Sequence, residues 1–349
     1  MEIELHGKRM NPTVSNKPII NPRQVVRLGG GAALAELLAG TGYMVQGRLL
    51  NDLVQAIRKG RPHLIEGERG SGKTALAEAL AEVCNLPIFY LQGMEGLELG
   101  DVLYSWDREG QSQFVRQAIA SGMILAEARA QQWGAEYLMF GEALGAFEYA
   151  GRTGIVPILI VDESDKLEDR IEDMLLQLFG RGYAYVPRFG NVGVKDPELW
   201  PIVVLLSNDI RHDSSAPMRS RCVYTWMDMP SPREEVAILR ARVPQASAEA
   251  VGWVAKLLEC IRGIPGVQDK PALREGIDLL DVLMRDRITC VDEAVLTSYL
   301  CLIAKRRGDR SYLEQSMARI ELAVNDSHEE IDAWVAQEFS EVNGLAIAA

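Results

Sequence analysis

Gly67, Gly72, Lys73 and Thr74, in the stretch GERGSGKT, stand at the spacing G-x-x-x-x-G-K-[ST]. That spacing implies a chemistry. Glycines let successive backbone N–H groups curl around a phosphate, and a helix starting at the loop points its positive end at the same phosphate. Gly70 and Ser71 add their own N–H groups to the cradle. Lys73 then reaches β- and γ-phosphates, and the Thr74 hydroxyl ligates Mg²⁺. Downstream, ILIVDESD ends an apolar run with Asp162 and Glu163. An acid at the carboxyl end of a buried strand lies where ligands bind in open α/β sheets. One such acid holds Mg²⁺ through water, and a second beside it activates an attacking water. A bare nucleotide switch has no need of the second acid, so Glu163 points to hydrolysis.

Two further stretches carry weaker signals. VVLLSND ends a second apolar run in Ser207 and Asn208, where a polar side chain could position the water. A turn ending the strand would favour the same residues. APMRSRC offers Arg219 and Arg221, either of which could reach a neighbouring subunit's γ-phosphate. In isolation, a solvated basic turn is the default reading of them.

These residues need a scaffold, and the pattern around them supplies one. HLIE reads as a strand before the glycine loop, and TALAEALAEV as the helix after it. LPIFYL, VPILIVDES, PIVVLLSND and CVYTWMDM read as four more strands with helical stretches between them. Continuous apolar runs of this kind belong to parallel sheets buried on both faces. The expected fold is α/β, a parallel five-stranded sheet followed by an all-helical domain. The expected organisation is an N-terminal arm over 1–41, a nucleotide-binding core over 42–230, a helical lid over 231–307 and a helical extension over 308–349. The arm reads as irregular, with a short helix inside GGGAALAELLAGTG.

Composition narrows the function classes. The chain has 349 residues, 48% hydrophobic and 25% charged, with a formal net charge of -12. That balance argues against generic binding to nucleic acid or acidic membranes, which needs a basic footprint. The five cysteines form no C-x-x-C pair, and His6, His63, His212 and His328 are scattered, so neither a disulfide framework nor a transition-metal site is expected. The N-terminus lacks a signal-peptide core, and the longest apolar run is too short to span a bilayer. The expected location is the cytoplasm.

Taken in order, phosphate loop, acid strand, polar strand end, arginine pair and helical lid resemble the AAA+ ATPases. LLNDLVQAIRKGRPHLIEGERGSGKT and DESDKLEDRIEDMLLQLFGRGYAYVPRFGN are similar to the MoxR family, and the stretch from Pro201 to Pro244 resembles its CoxD-like maturation branch. The resemblance covers roughly 42–307. It implies ATP and Mg²⁺ as cofactors, with Asp162 and Thr74 at the metal. It implies Asn208 as the sensor-1 residue, Arg221 or else Arg219 as an arginine finger acting in trans, and Arg274 in DKPALREGIDLL as the sensor-2 arginine. Tyr43, Met44 and Val45 would line the adenine. A helix-2 insert fits between Thr74 and Asp162, and a hairpin precedes the sensor-1 strand. The implied protein is a homo-hexameric ATPase that remodels or activates a client, with a von Willebrand factor A domain protein as partner. Two alternatives stay open: an ATP-gated scaffold with little turnover, and a nucleic-acid motor of a defence system.

Overall fold

Residues that must bury apolar side chains on both faces set the centre of the structure. In this computed structural model the described residues are 3–5, 8–10, 17–43, 45, 47–208, 215–288 and 290–346. The chain divides into a first unit of residues 1–41, 45–67 and 73–227 and a second of residues 42–44, 68–72 and 228–349.

The first unit begins with β1 (Ile3–Leu5), β2 (Lys8–Met10), α1 (Pro22–Ala39) and α2 (Gly47–Lys59). Then come β3 (His63–Gly67), α3 (Lys73–Cys84) and β4 (Ile88–Gln92). A compact excursion follows: α4 (Leu99–Val102), β5 (Tyr104–Trp106), α5 (Arg108–Ala120), α6 (Leu125–Gln131) and β6 (Leu138–Phe140). The chain returns through α7 (Glu142–Thr153), β7 (Ile158–Asp162), α8 (Asp169–Arg181) and the hairpin β8 (Tyr183–Val186) and β9 (Gly190–Gly193). It closes with β10 (Ile202–Ser207), α9 (Ala216–Arg221) and β11 (Val223–Met227).

Five of these strands form one sheet in the order β11-β3-β10-β7-β4, and every pairing is parallel. β3 and β10 are buried along their whole length, as is β7 from Ile158 to Val161. The expected α/β core with five parallel strands is therefore present. β10 lies between β3 and β7, with Ser207 opposite Glu66 and Leu205 opposite Val161. That order brings the ends of the loop strand, the polar strand and the acid strand side by side.

The N-terminal region differs from the expected irregular arm. α1 is 18 residues long because Asn21 accepts a hydrogen bond from the Arg23 N–H and Pro22 takes the first helical position. Gly30 (φ 64°) leaves helical backbone, so α1 is two helical stretches joined at a kink, the second running through the expected short helix. β1 and β2 join the excursion after β4 in a four-stranded sheet of order β2-β1-β6-β5.

The second unit is helical: α10 (Pro232–Arg242), α11 (Ala248–Arg262), α12 (Leu273–Arg285), α13 (Glu293–Ile303), α14 (Arg307–Gln315), α15 (Met317–Asn325) and α16 (Glu329–Ala346). Ser231 and Glu234 close a capping box on α10. One apolar core runs from Val236 to Val335, so the helices beyond Arg307 pack with those before it. The Lys256–Asp332 ion pair, at 2.7 Å, and the Arg240 guanidinium over the Phe339 ring, at 4.7 Å, hold α16 to α11 and α10.

A buried polar relay sits at the start of β3. Thr225 Oγ1 donates to Asp52 Oδ2 at 2.9 Å, so the proton shared with His63 at 2.8 Å must sit on His63 Nε2. His63 Nδ1 is buried with no hydrogen-bond partner among the described residues. Burial lowers the His63 pKa to about 4, against a smaller opposing pull from Asp52. The unfolded chain takes up this proton near pH 6.5, and the fold resists it until pH falls to about 4. His63 therefore contributes full stability above pH 6.5, lost progressively toward pH 4, by about 3 kcal/mol. Urea midpoints measured from pH 7.5 down to 4.5 should show this slope, flattened in His63→Gln. An equal slope in both chains would refute the assignment.

Candidate active site

The loop between β3 and α3 has the backbone that its glycines were expected to permit. Gly70 (φ 88°) and Gly72 (φ 94°) both lie in the left-handed region. Ser71 between them is buried, and its hydroxyl has no hydrogen-bond partner among the described residues. Lys73 opens α3, is buried, and donates from Nζ to Gly67 O at 2.8 Å. Burial lowers its pKa, while Asp162 and Asp165 pull the other way. Thr74 follows in the first turn of α3, half-buried. A left-handed loop, a buried unpartnered hydroxyl, an ammonium and a helix start fit an anionic phosphate group. Residues Gly70 to Thr74 are the ones that would hold it.

The two acids end β7, and each is fixed by named donors. Asp162 Oδ1 accepts from the Glu163 N–H at 2.8 Å, and Oδ2 accepts from the Tyr90 hydroxyl at 2.5 Å. Burial, and next the bond to Asp162, push the Tyr90 phenol pKa up, so it stays a donor. Glu163 Oε2 accepts from Gln92 Nε2 and from Lys166 Nζ, both at 2.6 Å. Glu163 has φ 51°, a left-handed conformation that costs a non-glycine residue on the order of 1–3 kcal/mol. The neighbouring strand end makes close contact: Gly93 N–H donates to Asp162 O at 2.7 Å, and a Cβ on Gly93 would collide with Glu163 O.

Asn208 joins this group through Asp165. Its N–H donates to Asp165 Oδ1 at 3.3 Å, and Ser164 Oγ donates to Leu206 O at 3.1 Å. The end of β10 is thereby tied to the turn that follows Glu163. Tyr90, Gln92, Asp165 and Lys166 were absent from the sequence reading. Polar residues at alternate positions closing the strand IFYLQ were the available signal for the first two.

Arg219 and Arg221 lie on α9, which Ser215 caps and the buried Met218 anchors. Both side chains are exposed, and Arg221 Nη1 donates to Pro217 O of its own helix at 3.3 Å. Val45, one of the adenine residues implied by the resemblance, is buried in the first unit.

In the second unit, Tyr43 donates to Gly72 O at 3.4 Å, and burial raises its phenol pKa. Met44 lies outside the described residues. Arg274 is exposed at the second position of α12. The start of that helix is fixed by Glu275, whose Oε2 accepts from the Ala272 N–H at 2.9 Å. Gly70 meets Ala272 here: a Cβ built on Gly70 would lie 2.5 Å from the Ala272 Cβ. The loop glycine is thus required by close approach as well as by φ.

The five-stranded parallel sheet with a helical region after it is the architecture of an AAA core followed by a helical domain. Residues 62–222 match the family described as AAA domain (dynein-related subfamily). Over longer spans the chain is similar to Gas vesicle ATPase GvpN1 of Halobacterium salinarum, 22% identical over 279 residues and 76% of each chain. It is also similar to Gas vesicle ATPase GvpN2 of the same organism, 23% identical over 272 residues and 74% of each chain. Gas vesicle ATPase GvpN of Haloferax mediterranei is 24% identical over 248 residues, 67% of each chain.

Proposed function

We propose that this chain is a Mg²⁺-dependent, MoxR-like ATPase that hydrolyses ATP in a ring oligomer and uses the energy to remodel or activate a partner protein. The observation that carries the hydrolytic reading is the acid pair. Asp162 and Glu163 end the strand beside the polar strand end, and separate donors hold each carboxylate. The site's residues divide the work. Lys73 and the loop N–H groups bind phosphates, and Thr74 with Asp162 holds the cation, which supplies charge neutralisation when bound. Glu163 takes the proton from an attacking water, and Asn208 orients it. The relatives named gas vesicle ATPases support ATP as the nucleotide.

The finer parts of the reading rest on the MoxR resemblance: a hexamer, a von Willebrand factor A domain partner and a maturation role; the cytoplasmic location rests on the sequence alone. No described helix is long and apolar enough to cross a membrane. The test is phosphate release by the purified full chain with ATP and Mg²⁺, measured across protein concentration with mass by light scattering. Specific activity should rise as the chain assembles. Turnover no greater than that of Lys73→Ala would sink the ATPase reading, and activity from a monomer would sink the ring.

A further inference from the structure

β4 runs parallel to β7 with Tyr90 opposite Ile160 and Gln92 opposite Asp162. Residues two apart on a strand share a face. Tyr90 and Gln92 are therefore presented together toward the acids, one to each. The Tyr90 hydroxyl lies 2.5 Å from Asp162 Oδ2 and 3.3 Å from Gln92 Oε1, so its single proton goes to Asp162. The other Asp162 oxygen is taken by the Glu163 N–H at 2.8 Å. A carboxylate with one donor on each oxygen cannot rotate about its terminal bond without breaking both bonds. Each oxygen keeps a further lone pair for a cation or its water.

We propose that Tyr90 is a positioning residue that fixes the Asp162 carboxylate for the divalent cation of the bound nucleotide. The inference rests on the proposed Mg²⁺-nucleotide site and extends it to a residue outside the phosphate loop and the acid pair. Partners that orient a ligating carboxylate are worth about 10–100-fold in metal affinity or activity. Tyr90 is 41% exposed on an edge strand, so removing its hydroxyl leaves the core packing alone.

The experiment compares the full-length chain with Tyr90→Phe. A fluorescent ATP analogue is titrated with and without Mg²⁺, and turnover is followed against Mg²⁺ concentration. The expected result is a rise of about tenfold or more in half-saturating Mg²⁺ for Tyr90→Phe, by binding and by turnover alike. Affinity without Mg²⁺ should match the parent chain. A parent that responds to Mg²⁺, with an unshifted Tyr90→Phe, overturns this proposal alone. Loss of Mg²⁺-free binding in Tyr90→Phe also overturns it, since the effect would then be on the fold. A parent whose nucleotide binding and turnover ignore Mg²⁺ overturns the function reading, and this inference with it.

Discussion

Glu163→Gln is expected to lower ATP turnover by about 10³-fold while nucleotide binding stays within a few-fold of the parent chain. Positioned general bases contribute about 10²–10⁴-fold, and an amide of the same shape cannot accept the proton. The geometry explains why binding should survive. Glu163 is held by Gln92 and Lys166, not by the phosphate loop. The Lys166 ion pair joins side chains about one-third exposed (29% and 32%), so losing its charge costs little stability. Asp162 keeps its own donors, Tyr90 and the residue 163 N–H, so the cation site should persist. The measurement pairs phosphate release with nucleotide affinity and a melting curve. Equal, slow turnover in both chains would revive the scaffold alternative, in which ATP drives assembly and its hydrolysis is incidental. A lowered melting point with lost binding would instead mean that Glu163 is part of the frame.

The parts of the site that can be read from sequence are those whose residues are neighbours in the chain. GERGSGKT carries its own geometry, because the glycines and the helix start are local. VPILIVDES does too, since an unbroken apolar run ending in acids describes a buried strand and its exit. Strand order is not local. Nothing in PIVVLLSN says that it will lie between the loop strand and the acid strand, yet that placement ties Asn208 to Asp165. The donors on the acids were illegible for the same reason. Tyr90 meets Asp162 from 72 positions away and Gln92 meets Glu163 from 71.

Two misreadings of extent have local causes. Gly29–Gly31 read as a helix boundary, and Gly30 does leave helical backbone there, but Asn21 and Pro22 start a further helical stretch before it. The split at 307/308 followed the reach of a family pattern, whereas burial of Leu313, Met317, Ile320 and Val335 is set by one shared core.

Arg221→Ala is expected to lower turnover on the order of 10³-fold, and the loss should be repairable by another subunit. Arg221 sits on a six-residue helix held by the Ser215 cap and the buried Met218, with its guanidinium in solvent. The substitution removes an exposed side chain whose hydrogen bond is to its own helix, so folding should be unaffected. An arginine that supplies transition-state charge from a neighbour is worth about 10³–10⁵-fold, far more than its cost to stability. The test is complementation. Lys73→Ala subunits retain Arg221 but lack the ammonium proposed to bind phosphate, and Arg221→Ala subunits have the reverse defect. Each should be nearly inactive alone, and mixing them should restore a fraction of parental turnover, set by how often an intact loop meets an intact arginine. The same mixture with Arg219→Ala tells the two arginines apart, with Arg221 expected to carry the larger effect. Parental turnover in Arg221→Ala, or assembled mixtures that stay inactive, would remove this residue from the neighbouring site and leave it as a solvated charge on α9.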